Sequence, residues 1–408
     1  MDKRMKMWKK AVPFLCFAVL MFGLGSSDSL RGIFAPVFQN RYALSDPQLS
    51  MIVTISYVGN LLFLSLGGKL LDTFGRKTVA LSVTGIWVLS MLLNVVSDSY
   101  PCILISMFFA LGASTLLNTT VNILTPVVFS GYAGLMVNIF FFIQGIGTSG
   151  SQFVLGRYGL SYSGFKGVSL LLLLIGVAAG ALLLLTPLDG EKKEKGNPSK
   201  AVPFKGQQSE MTQSKEGKMK QNPGKAVFIL LCIMIGFYFI GEHGIMNWLF
   251  SYCIQAFSVP GGKASVYLSL FWGGMTAGRL IFAPVVQKLG TVKSIRIFGM
   301  IGTLLFCAGI LTGEKGILLL SISGLAISVL YPTMVLLIQQ IYPTEVAATR
   351  TGAIISVATV ADIVFNLLFG VITGVIGYRL SFMILPVCMA GFFISYMVLQ
   401  NNIWRNAR

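Results

Sequence analysis

The chain has 408 residues, of which 55% are hydrophobic and 11% are charged, and its mean hydropathy is +0.78. Soluble domains carry roughly 25% charged residues, so this composition excludes a protein whose whole surface faces water. A net charge of +17 would suggest nucleic-acid binding in a soluble protein. Here the basic residues flank apolar runs, which indicates membrane topology and contact with anionic lipids, and no nucleic-acid partner.

Long apolar runs dominate the chain, and a run of about 20 residues crosses the hydrocarbon core of a bilayer as a helix. The first run continues past Leu24 without a cleavage site, so we interpret it as an uncleaved span. The runs predict about twelve spans in two sets of six. The first set covers 11–37, 49–71, 78–97, 102–127, 132–155 and 165–187, and the second covers 226–256, 264–288, 293–312, 316–341, 350–376 and 380–400.

A polar segment at 188–225 separates the two sets and is rich in Lys, Glu, Gln, Ser and Gly. Such a segment cannot bury a core, so we expect a mobile linker. The predicted fold is an all-α membrane protein, with an N-terminal six-helix bundle at 1–187 and a C-terminal six-helix bundle at 226–408. Lys and Arg concentrate at both termini, after the second span and in the linker, which predicts that these parts are cytoplasmic in a multi-pass protein of the cell membrane.

The two sets of spans show a weak internal repeat. The segment YVGNLLFLSLGGKLLDTFGRK at 57–77 compares with FWGGMTAGRLIFAPVVQKLGTVK at 271–293. Each begins with an aromatic residue and glycine in the second span of its half and ends in a glycine turn with basic residues. Together with the equal span counts, this similarity predicts two pseudo-symmetric bundles of the kind that duplicated transporters have.

The loop after the second span, GGKLLDTFGRK, resembles the loop signature of the major facilitator superfamily. Glycine permits the tight turn, and Arg76 can pair with Asp72 or cap the C-terminal end of a helix. The resemblance implies that this loop is a cytoplasmic gate that latches the outward-open state, and that Arg279 in the second half has a conformational role. The matching residues are Gly68, Asp72, Gly75, Arg76 and Lys77.

The chain is most similar to the branch of fucose–proton and glucose/mannose–proton symporters. The similarity is carried by FYFIGEHGIMNW at 237–248 and GLAISVLYPTM at 324–334. This resemblance implies cation-coupled import of a monosaccharide. One position departs from the branch: its fourth span begins a motif with an acidic residue, and Asn118 occupies that place here.

Three carboxyl groups lie within predicted spans, where each costs about 2.5–3.5 kcal/mol as an ion at the membrane centre. Glu242 is the first candidate for proton coupling, because its position matches a frequent glutamate of the branch; the alternative is a neutral acid hydrogen-bonded within its helix. Asp28 has a partner in Arg31 three residues on, so the pair is either structural or an extracellular gate. Asp362 is either a coupling residue or a packing residue.

Amide and aromatic side chains in the spans are candidates for substrate contact. Amides offer donors and acceptors for hydroxyl groups, and aromatic rings can stack on a sugar. The alternative is an interhelical hydrogen bond, worth about 0.6 kcal/mol, or packing. His243 is expected to be structural, with a proton relay as the alternative. The candidates are Tyr57, Asn118, Asn122, Gln144, Asn247, Trp248, Trp272 and Tyr331.

These features predict a monomeric secondary transporter that moves a small polar organic solute by alternating access. Its expected partners are that solute and membrane lipids, with a proton or another cation as coupling ion and no cofactor. The six cysteines are scattered, so neither a disulfide framework nor a metal site is indicated. The alternatives are an efflux carrier for drugs, metabolites or lipids, and a nontransporting sensor. An ATP-binding P-loop motif and a catalytic Ser/His arrangement are absent from the sequence, so an enzyme is not expected.

Overall fold

The computed structural model describes residues 2–129, 132–186 and 224–406. Within these ranges all regular structure is helical, and twelve segments are long and apolar enough to cross a membrane. The prediction of an all-α protein with twelve spans is therefore confirmed. Of the predicted linker, residues 188–223 lie outside the described residues.

The helices before the linker are α1 (Asp2–Ile33), α2 (Ala35–Tyr42), α3 (Asp46–Phe74), α4 (Arg76–Val96), α5 (Tyr100–Val128), α6 (Ala133–Tyr158) and α7 (Tyr162–Leu185). After it come α8 (Lys225–Phe257), α9 (Gly261–Leu289), α10 (Thr291–Leu311), a short 3-10 turn (Gly313–Gly316), α11 (Ile317–Ile327), α12 (Leu330–Ile341), α13 (Thr344–Ser381) and α14 (Ile384–Asn406).

Two of the predicted spans are not single helices. The run at 11–37 divides between α1 and α2 next to Pro36, and the run at 316–341 divides between α11 and α12 before Pro332. Proline has no backbone N–H, so the carbonyl four residues earlier loses its helical partner. At the second break that carbonyl belongs to Ser328, and it accepts a hydrogen bond from Arg279 Nε at 3.4 Å.

The chain separates into two compact units. Among the described residues, the first unit contains those up to position 43, those from 52 to 151 and those from 159 to 186, and the second contains those at 44–51, 152–158 and 224–406. The first unit thus holds most of the first six spans, while the beginning of α3 and the end of α6 belong to the second unit.

In the first unit, α4 packs against α5 and α7, and α1 packs against α5 and α7. Trp87 of α4 is fully buried and donates its indole N–H to Ser27 Oγ at 3.2 Å. A Cβ atom at Gly23 or Gly176 would lie within 2.9 Å of this indole. The two glycines therefore make the room that lets Trp87 fill the space between three helices.

In the second unit, α8 packs against α13 and α14, and α9 packs against α11. Tyr252 of α8 stacks on Phe382, with ring centroids 3.8 Å apart and planes at 5°. The close contact of α8 with α13 brings together the polar side chains described below.

Glycines at matching positions support the predicted repeat. Gly75 and Gly290 have positive φ angles of 80° and 77°, and each directly precedes the next helix of its half. At the same spacing before these turns, Gly59 and Gly274 contact backbone atoms of the fourth span of each half. A Cβ atom would lie 2.1 Å from a carbonyl oxygen of α5 in the first case and 3.0 Å from an amide nitrogen of α11 in the second.

Candidate functional site

A chain of hydrogen bonds joins α8 to α13 in the second unit. His243 Nδ1 lies 2.7 Å from Asp362 Oδ2, and Asn366 Nδ2 donates to Asp362 Oδ1 at 3.0 Å. Asn366 Oδ1 accepts from Trp248 Nε1 at 2.9 Å and from Asn247 Nδ2 at 3.3 Å. We call these five residues the α8–α13 network. His243 and Asn247 on α8, and Asp362 and Asn366 on α13, are four residues apart, and positions four apart share a helix face.

The α8–α13 network is almost entirely buried. Asp362, Asn366, Asn247 and Trp248 have no exposed surface, while the side chain of His243 is 22% exposed. Both carboxyl oxygens of Asp362 have a hydrogen-bond partner, which is what a buried carboxyl group requires. His243 is therefore the member of the network with the most exposed side chain.

Glu242 belongs to a different group of side chains, although it precedes His243 in the sequence. It is 6% exposed and interacts electrostatically with Tyr238, one turn earlier on α8, whose hydroxyl group donates to the carbonyl of Ile327 at 3.4 Å. It also interacts electrostatically with Tyr331 of α12. Consecutive residues on a helix point about 100° apart, so Glu242 faces this tyrosine group while His243 faces α13.

Arg279 supplies the positive charge near Glu242. Its guanidinium interacts electrostatically with Tyr238 and Tyr331, and it caps the free carbonyl of Ser328. Arg279 lies about 15 Å along α9 from the turn at Gly290. The structure thus places Arg279 beside the break between α11 and α12, away from the glycine turn of its half.

The first unit contains the other predicted ionisable pair. Ser114 Oγ of α5 donates to Asp28 Oδ2 at 3.0 Å, and Arg31 interacts electrostatically with the same carboxylate. Arg31 is buried, at 4% exposure, and its Cζ lies 5.1 Å from the centre of the Tyr57 ring. Three of the predicted site residues therefore lie together, and Asp28 has a further partner in Ser114, which the sequence did not indicate.

Several buried side-chain oxygen atoms of the first unit have no hydrogen-bond partner among the described residues. Asn118 and Asn122 follow Ser114 at four-residue intervals on α5, and Asn60 lies on α3. Their side-chain oxygens, and Asp28 Oδ1, are buried and have no hydrogen-bond partner within the described part of the chain. A buried polar atom without a partner is costly, so these four acceptors are suited to a ligand that donates hydrogen bonds.

The remaining candidates for substrate contact occupy separate places. Gln144 is half-buried on α6, and a Cβ atom at Gly25 would lie 2.1 Å from its carbonyl oxygen, so α1 and α6 touch through their backbones there. Trp272 on α9 has a buried indole N–H without a partner among the described residues. The ring of Tyr331 lies 5.5 Å from that of Phe239.

The loop between α3 and α4 has the turn that its sequence predicts, because Gly75 adopts a φ of 80°. Lys77 caps the C-terminal end of α7, donating from Nζ to the carbonyls of Thr186 at 2.8 Å and Leu184 at 3.2 Å. Gly68 has open space around its Cα. The side chain of Asp72 lies outside the described residues, so its expected pairing with Arg76 stays a prediction.

Asn366 is the member of the α8–α13 network that sequence reasoning missed. Its position four residues after Asp362 was the available signal. Within the described ranges, no group of three or more His, Cys, Asp or Glu side chains is placed to hold a metal ion.

Comparison with solved structures places the fold among transporters. The D-xylose-proton symporter aligns with a TM-score of 0.72 at 12% identity, covering 96% of this chain and 97% of that one. The nucleoside transporter NupG aligns with a TM-score of 0.68 at 14% identity over 96% and 98%. A variant of the E. coli fucose:proton symporter FucP aligns with a TM-score of 0.61 at 16% identity over 95% and 98%.

One characterised relative is similar at the level of sequence. The cis,cis-muconate transport protein of Acinetobacter baylyi (strain ATCC 33305 / BD413 / ADP1) is 24% identical over 157 residues, and this match spans 38% of either chain. The family model of the Major Facilitator Superfamily matches residues 14–361. The resemblance predicted from the loop signature is confirmed, and the chain belongs to the Major Facilitator Superfamily as a multi-pass membrane transporter.

Proposed function

We propose that the protein is a proton-coupled secondary transporter of a small, hydroxyl-bearing organic solute such as a monosaccharide. The observation that carries this proposal is the row of buried oxygen acceptors in the first unit: Asp28 Oδ1 and the amide oxygens of Asn60, Asn118 and Asn122. Several hydroxyl groups on one ligand supply the donors that these atoms lack.

The acceptors also distinguish between classes of solute. An amphiphilic cation, the typical substrate of a drug exporter, has one strong charge and few hydrogen-bond donors, so it leaves the amide oxygens unpaired. A site built to bond hydroxyl groups rejects ligands that lack them, because its buried polar groups then stay unsatisfied. The unpaired acceptors therefore favour a polar solute as substrate over an apolar compound.

Proton coupling is supported by the surroundings of Glu242. The carboxyl group is buried among two tyrosines and Arg279, where adding a proton removes a charge from the membrane interior. His243, the next residue, bonds to Asp362 of α13. Protonation of Glu242 therefore changes the charge next to the contact that joins α8 and α13, and in alternating access such a change permits the loaded carrier to reorient.

An organic carboxylate is a second candidate substrate. The muconate transport protein is a relative, and the buried guanidinium of Arg31 lies in the first unit near the acceptor row. Arginine binds carboxylates in a bidentate manner. Because Asp28 already lies beside Arg31, a carboxylate solute would have to compete with that residue, so we rank this candidate second.

A ligand panel tests the proposal. Purified protein is heated with monosaccharides, nucleosides, dicarboxylates and amphiphilic cations, and solutes that raise the melting temperature are then tested for counterflow in proteoliposomes. We expect a hydroxyl-bearing solute to bind, and Asn118→Leu to weaken its binding by roughly tenfold. The matched control is Asn138→Leu on α6, whose amide bonds to a backbone carbonyl of its own helix.

Either of two results would contradict the proposed solute site. If only amphiphilic cations stabilise the wild-type protein, or if Asn118→Leu binds the solute as well as Asn138→Leu does, the acceptor row is not the solute site.

A further inference from the structure

A small cleft opens at the end of α8 that adjoins the linker, on the side predicted to be cytoplasmic. Its volume is about 270 Å³, and its walls come from the first turn of α8, the end of α12 and the second turn of α13. That volume is close to the lower limit for ligand-binding clefts, about 300 Å³. The lining residues are Lys225, Phe228, Ile229, Tyr342 and Arg350.

Among the described residues that line the cleft, the two charged side chains are basic. Arg350 holds its guanidinium between two rings, with Cζ 5.7 Å from the centre of Phe228 and 6.0 Å from that of Tyr342. Lys225 is the first residue of α8, where the unpaired N–H groups and the helix dipole add positive potential. The cleft therefore attracts an anion.

Tyr342 provides an independent indication of a ligand. Its side chain is 95% buried, since only 5% of the residue is exposed, yet its hydroxyl group has no hydrogen-bond partner among the residues that the structure describes. Buried hydroxyl groups are normally hydrogen-bonded. A phosphate oxygen in the cleft would accept from this hydroxyl while the two basic side chains neutralise its charge.

The open wall of the cleft indicates where the phosphate comes from. Ile229 is 55% exposed, and Ile233, one turn further along the same face of α8, is 43% exposed. Both lie within a membrane-spanning helix, so an acyl chain can lie against them while a headgroup occupies the cleft. A free phosphate compound would gain nothing from this apolar surface.

We propose that the cleft binds the phosphate headgroup of an anionic phospholipid from the cytoplasmic leaflet, such as phosphatidylglycerol. Basic pockets between spans on the cytoplasmic side are suited to such lipids. Binding there ties the start of α8 to the start of α13. These are the same two helices that the α8–α13 network joins deeper in the membrane, so an occupied cleft stabilises their packing.

Native mass spectrometry of the full-length protein in detergent tests this site with 1-palmitoyl-2-oleoyl-phosphatidylglycerol and, for comparison, the phosphatidylcholine with the same chains. We expect Arg350→Gln to weaken retention of phosphatidylglycerol by about tenfold, because one charge-assisted contact is lost. Tyr342→Phe, which keeps both rings, should weaken it roughly fivefold. Lys288→Gln removes an exposed charge from the same predicted side outside the cleft and is the matched control.

Two further arms decide the source of the phosphate. Glycerol 3-phosphate and inorganic phosphate have no acyl chains, so neither should displace the lipid or raise the melting temperature at millimolar concentration. Equal retention of phosphatidylglycerol by Arg350→Gln, Tyr342→Phe and Lys288→Gln would show that the lipid does not bind in this cleft. Equal retention of phosphatidylcholine, or stabilisation by glycerol 3-phosphate alone, would overturn its assignment to an anionic lipid.

Discussion

His243 of α8 and Asp362 of α13 lie in direct contact, with Nδ1 2.7 Å from Oδ2, at a depth where Asp362 has no exposed surface. The partner that completes this contact is Asn366, which holds the second carboxylate oxygen and accepts hydrogen bonds from two residues of α8. Asn366 therefore links Asp362 to two side chains of α8 within the interface between α8 and α13.

We predict that Asn366→Ala destabilises the protein by about 3 kcal/mol, because it leaves several buried polar groups without partners at once. Thermal unfolding in detergent measures the change. Asn40→Ala, at an exposed position of α2, is the control and should unfold like the wild type. Equal melting temperatures for the two variants would show that the α8–α13 network contributes no stability.

The glycine contacts between spans give a second prediction. A Cβ atom at Gly324 would lie 2.2 Å from a backbone carbonyl of α9, and one at Gly59 would lie 2.1 Å from a carbonyl of α5, whereas a Cβ atom at Gly85 meets nothing within 4 Å. Gly324→Ala and Gly59→Ala should each cost about 1–3 kcal/mol through overpacking. Gly85→Ala should be neutral or slightly stabilising. Equal melting temperatures for the three variants would show that the helices at Gly59 and Gly324 are further apart than these distances indicate.

Lys77 gives a third prediction, at the loop that resembles the gate signature. Lys77→Gln removes two hydrogen bonds to the last carbonyls of α7 and should lower the unfolding free energy by about 1 kcal/mol. Lys69→Gln, an exposed lysine one helix earlier, should have no such effect. An equal loss of unfolding free energy in both variants would show that the effect comes from removing a positive charge and not from losing the cap of α7.

Stability should depend on pH at the contact between Asp98 and Lys166. Lys166 Nζ lies 2.9 Å from Asp98 Oδ1, and hydrogen bonds from Lys166 and Tyr162 hold the pKa of Asp98 below its ordinary value. A lowered pKa contributes stability above the ordinary pKa of aspartate, and this stability is lost as the pH falls through the lowered value.

Asp98→Asn should therefore melt below the wild type at pH 7, and the difference should narrow as the pH falls below the ordinary pKa of aspartate. The effect should be small, because the pair is exposed. In a double-mutant cycle, Lys166→Gln should add little to Asp98→Asn. Full additivity of the two changes would show that the pair does not interact in solution.

The sequence predicted the twelve spans and the turn at Gly75 because both depend on local features: the length of an apolar run, and a glycine followed by basic residues. It did not predict that His243 meets Asp362, because a contact between helices distant in sequence depends on which faces pack together. Pro332 indicated a break in the helix. The sequence did not indicate that the carbonyl of Ser328, left free at this break, accepts a hydrogen bond from Arg279, because Arg279 lies on another helix.

The proposed mechanism places the coupling proton on Glu242. Its most direct test compares wild type, Glu242→Gln and the matched control Glu314→Gln, an exposed carboxylate in the turn before α11, in proteoliposomes with an imposed proton gradient. Two quantities are measured for each variant with a labelled monosaccharide that binds in the ligand panel: gradient-driven accumulation, and exchange at equal pH.

We predict that Glu242→Gln loses accumulation but retains exchange, because a permanently neutral side chain permits the loaded carrier to reorient without a proton. Glu314→Gln should behave like the wild type in both measurements. Undiminished accumulation by Glu242→Gln would show that the coupling proton does not reside on that carboxyl group.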